Sequence, residues 1–225
     1  MSGKRPIVVF DLDGTLAETA GDLIRALNGV LALEGIAPVP VSSARSLLGA
    51  GGRALISRGF ALSKRELAPA KHEALYQIFL ADYNSHIAEH SFLYPGVDAC
   101  LTQLAAEGWA LAVCTNKMEA SAKLLLEKLG VADRFAFVSG QETFGAAKPD
   151  PRPVIETIRA AGGDRAQAIM VGDSRSDIDA AKAAGIPVIA VDFGYTEVPV
   201  AELGPDVVIS HFDALIGAIA SLRRF

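Results

Sequence analysis

Cysteine is nearly missing from this chain: there are two, Cys100 and Cys114, in 225 residues. Both lie inside apolar periodic segments. They read as buried free thiols in a reducing compartment rather than as a disulfide or a metal site. Basic runs are missing too, and with a net charge of −5 the chain has no general attraction for nucleic acid or for an anionic membrane. The stretch MSGKRPIVVF carries two basic residues, but its apolar run meets Asp11 too soon for a signal peptide or a membrane span. A cytoplasmic protein is therefore expected. The single tryptophan, Trp109, and the four histidines form no recognisable site pattern.

What is present is ordinary for a globular protein: 51% hydrophobic and 21% charged residues, enough to bury one core or one domain with a sizeable insertion. Short runs rich in Val, Ile and Ala recur at 7–10, 110–114, 135–138, 168–171, 187–191 and 207–209. Their near-continuous hydrophobicity suits strands covered on both faces. From residue 95 onward they alternate with helical patterns. Ala122, Leu125, Leu126 and Leu129 repeat at helical spacing before Gly130, and the 176–184 segment stops at Gly185. This predicts an α/β, Rossmann-like parallel sheet with helices on both faces.

Residues 17–93 break the rhythm. Leu23, Leu27, Val30 and Leu31 mark one helix, and Leu75, Ile78 and Phe79 mark another. So much helical pattern between the first two core strands exceeds an ordinary connection. The expected division is an α/β core from 1–16 and 94–225, with an inserted α-helical cap domain from 17–93. Pro95-Gly96 marks the return to the core.

Ligands bind outside the carboxyl ends of parallel strands. There the sequence places Asp11 and Asp13 after IVVF, Thr115 and Asn116 after ALAVC, and Asp173 after AIMV, with Asp177 opening the next helix. Lys148 lies in a loop of the same half. A lone Asp after a strand is usually a helix cap or turn residue, and a lone loop lysine is usually solvated. Together they read differently. Clustered carboxylates repel unless a cation holds them, which argues for a hard metal such as Mg2+. A lysine and a hydroxyl beside such a metal suit an anion with several oxygens, most naturally a phosphate.

The motifs DLDGTL (11–16), TN (115–116), KPDP (148–151) and GDSRSDI (172–178), in that order, give the chain a resemblance to the haloacid dehalogenase superfamily of phosphohydrolases. That resemblance implies that Asp11 is the nucleophile, forming an aspartyl-phosphate, and that Asp13 is the general acid and then base. It implies Mg2+ held by Asp11, the backbone carbonyl of Asp13 and Asp173, with Asp177 nearby or acting through water. Thr115, Asn116 and backbone N–H groups around Asp13 would hold the phosphoryl oxygens, and Lys148 would neutralise charge beside Asp11.

A halide leaves without a proton, so Asp13 argues against dehalogenation and for phosphoryl transfer. Within the superfamily the chain is most similar to the phosphoglycolate phosphatases, through DLDGTLAETAGDL, GAGGRALISRG, TNK and the tail VDFGYTEVPVAELGPDVVI. The expected substrate is a small phosphorylated metabolite, 2-phosphoglycolate foremost, on a monomer or homodimer. A phosphomutase or a pyrophosphatase would share these motifs. A phosphonate hydrolase would need a cap lysine, with Lys64 and Lys71 the candidates. A catalytically silent phosphate-binding protein would be expected to have a broken motif, and none is broken. The stretch Gly49 to Arg53 reads either as a turn between helices or as a loop over the site, with Arg53 reaching the substrate's carboxylate or phosphate.

Overall fold

Alternation along the first strand sets the architecture. In the computed structural model, which describes residues 4–196 and 198–222, strand β1 (Arg5–Phe10) buries Ile7, Val8, Val9 and Phe10 completely. Val8 and Phe10 join the apolar cluster on one face of the sheet, Ile7 and Val9 that on the other. Each such side chain contributes about 1.5–3 kcal/mol of transfer free energy, so the strand firmly anchors the loop that follows it.

Two very short strands, β2 (Ala17–Glu18) and β3 (Phe92–Leu93), pair antiparallel where the chain leaves the sheet and returns. The remaining strands are β4 (Ala110–Cys114), β5 (Phe137–Ser139), β6 (Gly163–Gly172), β7 (Val188–Val191) and β8 (Val207–Ile209). Six strands form one parallel sheet in the order β5-β4-β1-β6-β7-β8. Counted along the chain without β2 and β3, this is the 3-2-1-4-5-6 order of the Rossmann-type fold. Its crevice lies beyond the ends of the central strands, β1 and β6, where the order reverses.

Between β2 and β3 lie α1 (Ala20–Leu33), α2 (Ala44–Leu47), α3 (Gly51–Leu62) and α4 (Pro69–Ser85). The sheet is flanked by α5 (Val97–Ala106), α6 (Glu119–Lys128), α7 (Arg152–Ala160), α8 (Arg175–Ala184) and α9 (Leu215–Leu222). Val154 and Ile158 of α7 and Ile178 and Ala181 of α8 cover one face. Helices α5, α6 and α9 cover the other, where their cluster is continuous with Leu27, Ile56 and Phe79 of the inserted helices. No helix among the described residues is long and apolar enough to cross a membrane.

Three details depart from the sequence pattern. The strand expected over 135–138 is Phe137–Ser139, because the turn of Ala132–Arg134 holds Phe135 and only the Ala136 N–H reaches Leu111. Strand β6 begins at Gly163, earlier than its apolar run, and its register against β1 shifts between Arg5 and Ile7. Ile78 is exposed. The stripe that α4 buries is Leu75, Tyr76, Phe79 and Tyr83.

Candidate active site

The chain leaves β1 at Asp11, whose backbone N–H donates to Val171 of β6 at 2.9 Å. This bond holds the first loop to the end of the neighbouring strand. Gly14 turns that loop with φ +83, and a Cβ there would lie 2.6 Å from Asp173 Oδ2, so the turn requires glycine. Asp173 follows β6 and is buried. It accepts Thr15 Oγ1 at 2.7 Å and the Tyr195 backbone N–H at 2.6 Å.

Asp177 stands at the third position of α8 and completes a capping box with Ser174. Its Oδ2 accepts the Ser174 backbone N–H at 3.0 Å and the Ser174 hydroxyl at 2.6 Å, while its Oδ1 accepts Lys148 Nζ at 2.6 Å. Both oxygens are thus engaged. Lys148, buried, also donates to the Cys114 carbonyl at 2.6 Å and lies 2.9 Å from Asp11 Oδ1. That last contact is an ion pair outside hydrogen-bond geometry, and it leaves Asp11 Oδ1 with no hydrogen-bond partner among the described residues.

The carboxylates of Asp11, Asp173 and Asp177 can all present an oxygen within 4.8 Å of one another. Three negative charges face one ammonium, a buried excess of two. Burial, only partly offset by Lys148, pushes Asp11 up to about 6, with the Asp177 and Asp13 charges adding to the rise. Burial and then the charges of Asp177 and Asp11 push Asp173 well above the usual carboxylate range. Burial alone would lower Lys148, but Asp11 and Asp177 outweigh it and hold the ammonium charged. An all-oxygen donor set with that excess and one orphaned carboxylate oxygen fits a divalent cation.

Asp13 lies apart from this cluster, although it is only two residues from Asp11. Lys117 Nζ donates to both of its oxygens, at 2.8 Å each, and Thr19 Oγ1 donates to Oδ1 at 2.8 Å. Lys117 is buried beside the ring of Tyr83, 4.7 Å from its centroid. Thr115 is also buried, and its Oγ1 accepts the Lys117 backbone N–H at 3.2 Å. The Asn116 side chain is spent on structure. Its amide bonds reciprocally with the Lys148 backbone, at 3.0 and 2.9 Å, and locks the β4 and β5 loops together ahead of the cis Lys148–Pro149 peptide.

Asp11, Asp13, Thr115, Asn116 and Lys117 line one cavity of about 50 Å³, roofed by Gly51, Gly52, Tyr76, Phe79 and Tyr83. Gly51 has φ +82, and a Cβ there would come within 2.8 Å of the Asn116 carbonyl, so glycine is needed where the inserted helices meet the core. A larger cleft of about 320 Å³ opens next to it between Arg45, Arg58 and Arg175, but Asp11 and Asp13 do not line it. Both acids line the smaller cavity. The structure does not bring Arg53 there. Its guanidinium pairs with Glu73 at 3.1 Å and stacks on Tyr76 at 3.8 Å, on an exposed surface. Lys64 and Lys71 do not line the cavity either, and Lys71 pairs with Glu34.

Sequence reasoning missed Lys117, Tyr83 and Tyr195. Lys117 follows Thr115 and Asn116 directly on the rim, which was its available signal. Tyr195 has none of that kind. Its hydroxyl donates to Glu18 and accepts the backbone N–H groups of Thr19 and Ala20 at 2.7 and 2.9 Å, at the root of α1.

The family description "Haloacid dehalogenase-like hydrolase" matches residues 8–191. A protein from Mesorhizobium japonicum named phosphoglycolate phosphatase is 51% identical over 217 residues, covering 96% of each chain. Among solved structures, a "predicted phosphoglycolate phosphatase" from Haemophilus somnus superposes with a TM-score of 0.88 at 28% identity, covering 97% of this chain and 99% of that one. CbbY from Rhodobacter sphaeroides, in complex with phosphate, gives 0.79 at 26% identity over 94% and 96%.

Proposed function

The chain belongs to the haloacid dehalogenase-like hydrolase family, as a phosphatase within it, and from that premise we propose that it hydrolyses 2-phosphoglycolate with Mg2+ through an aspartyl-phosphate on Asp11. The observation that carries this reading is the separation of the two acids. Asp11 Oδ1 has an ion pair with Lys148 and no hydrogen bond, whereas Asp13 is held by Lys117 and Thr19. Their different surroundings support separate roles, attack for Asp11 and proton transfer for Asp13.

In this reading an Asp11 oxygen attacks phosphorus, and the bond from phosphorus to the ester oxygen breaks. Asp13 gives its proton to the departing alkoxide. Asp13 then takes a proton from water as the water oxygen attacks phosphorus, which releases phosphate and restores Asp11. The Thr115 hydroxyl and the backbone N–H groups around Asp13 and Asn116 hold the phosphoryl oxygens, while Lys148 balances the charge on Asp11. Asp11, the Asp13 backbone carbonyl and Asp173 would hold Mg2+, with Asp177 behind them. When bound, the ion supplies positive charge to the phosphoryl oxygens. Residues 17–93 act as a helical cap whose Gly51, Gly52 and aromatic side chains close the cavity over the ester.

The test is phosphate release from 2-phosphoglycolate. Turnover with Mg2+ should stop on EDTA treatment and return when the ion is restored. Unchanged turnover after EDTA removes the metal from the reading. Turnover of sugar phosphates or pyrophosphate in preference removes the substrate.

A further inference from the structure

Charge is unevenly placed on this chain. Its net charge is −5, yet the cleft of about 320 Å³ beside the catalytic cavity is lined by three arginines and, among the described residues, one acid, Asp179. The arginines come from both sides of a seam. Arg45 and Arg58 belong to α2 and α3 of the insertion, and Arg175 opens α8 on the core. Arg58 Nη1 donates to the Leu47 and Leu48 carbonyls, at 3.0 and 2.9 Å, which fixes that guanidinium at the end of α2. The Arg45 and Arg175 side chains have no hydrogen bond or ion pair among the described residues. Arg175 stands four positions before Asp179 on one helix, a spacing that allows an ion pair, and none forms. The hydrogen bond that crosses the seam here, from Ser176 Oγ to the Gly49 carbonyl, is long at 3.5 Å.

We propose that this cleft is a regulatory site for a small polyanion bearing phosphate, distinct from the ester being hydrolysed, and that the bound anion ties the inserted helices to the core. Like charges facing one another across a seam repel unless an anion lies between them. Arginine suits that anion, because its planar fork grips two phosphate oxygens at once. A ligand with two anionic groups reaches Arg45 on one side and Arg175 on the other. A cleft of about 320 Å³ has room for a small metabolite and not for a polymer. Hydrolysis makes no use of it, since Asp11 and Asp13 do not line it. Leu48 and Gly49, however, line both the cleft and the catalytic cavity. Whatever steadies that shared wall from the cleft also acts on the cavity behind it. An anion that binds the closed seam more tightly than an open one holds it closed, so its effect falls on turnover and not on substrate binding.

The probe is methylenediphosphonate, two phosphonates on a link that cannot be hydrolysed. Calorimetric titration of the protein in EDTA should show saturable binding, because the metal-free acidic cluster gives the catalytic cavity no attraction for it. Arg45→Gln and Arg175→Gln, both at exposed positions, should each weaken binding about 10- to 100-fold. Arg53→Gln removes the same charge outside the cleft and should weaken binding less than about twofold. Inorganic phosphate, too short to span the seam, should bind at least about tenfold more weakly than the diphosphonate. With Mg2+ held at fixed free concentration and 2-phosphoglycolate saturating, the diphosphonate should lower kcat in the wild type and not in Arg175→Gln. This last arm alone rests on the phosphatase reading: a wild type inert toward the ester counts against that reading and leaves the titrations to decide the site. Absent binding, binding untouched by both cleft variants, or an equal loss in Arg53→Gln overturns the site. Equal affinity for inorganic phosphate overturns the polyanion. Glu197 stands in sequence between the lining residues Thr196 and Val198, and binding that appears only in Glu197→Gln would give the cleft to the chain's own carboxylate and overturn the proposal. An unchanged kcat in the active wild type overturns the regulatory role.

Discussion

Tyr195 and Asp173 are joined by a backbone hydrogen bond of 2.6 Å, from the tyrosine N–H to carboxylate Oδ2. The same tyrosine carries its hydroxyl to Glu18, Thr19 and Ala20, where the inserted helices leave the sheet. One residue therefore fixes both an oxygen of the acidic cluster and the root of the insertion. Tyr195→Phe keeps the first link and deletes the second, leaving the Thr19 N–H unpaired. Unfolding in urea should show a loss of about 1–3 kcal/mol. Because the acidic cluster is intact, the Mg2+ concentration needed for half-maximal activity should change little while kcat falls. A rise in that concentration larger than the fall in kcat would place the effect on the metal site instead.

The acidic cluster also predicts an inverted pH response in metal-free protein. Asp11 rises to about 6 and Asp173 rises with it, so the folded state holds protons that the unfolded chain releases in the ordinary carboxylate range. The Asp11 contribution to stability is complete below the ordinary carboxylate range and is lost as the pH climbs through about 6, and the rise of Asp173 acts in the same direction. For Asp11 alone the loss is roughly 3 kcal/mol. Asp173→Asn removes one of the repelling charges. In EDTA it should raise Tm at pH 7.5 more than at pH 4.5, and it should abolish stabilisation by added Mg2+. Equal Tm changes at the two pH values would contradict this.

The two acids of DLDGTL should fail differently. Asp11→Asn removes the nucleophile, and turnover should vanish on every ester. Asp13→Asn keeps the attacking oxygen but cannot protonate an alkoxide. Its defect should be severe on 2-phosphoglycolate and milder on p-nitrophenyl phosphate, whose phenolate leaves unaided. A burst of nitrophenol followed by slow turnover would mark the accumulating aspartyl-phosphate. Equal losses on both esters without a burst would remove the division of labour.

Arg53→Ala should be nearly silent in catalysis, because its guanidinium is engaged by Glu73 and Tyr76 on the outer surface. An exposed pair of this kind contributes about 0–1 kcal/mol. We expect kcat/KM to stay within about fivefold on both esters, since such a contribution is the most that can be lost. A selective loss on 2-phosphoglycolate would return Arg53 to the site.

What the sequence made legible follows from distance along the chain. IVVF, ALAVC and AIMV each carry both their hydrophobicity and the polar residue at their end, so the sheet and its rim could be read together. Asp177 was readable as a helix-opening residue because its capping partner, Ser174, is three positions away. Lys117 was not readable as the partner of Asp13, because the two are 104 positions apart and nothing local pairs them. The pairing of Arg53 with Glu73 was not readable either, because the partner lies on the next helix and the glycine-rich neighbourhood gives no sign of it. Strands β2 and β3, two residues each, are too short to leave a pattern.

The central position of β1 has a consequence for synthesis. It ends at Phe10, and the first partner to emerge, β4, begins at Ala110, so about a hundred residues separate them. At roughly 5–20 residues per second, that interval is about 5–20 s. During it, four residues destined for full burial have no strand to pair with, and the helices of the insertion are the chain's one early source of cover. A strand that is made early and enclosed late is a natural site for chaperone attention and for misassembly when translation pauses between residues 10 and 110.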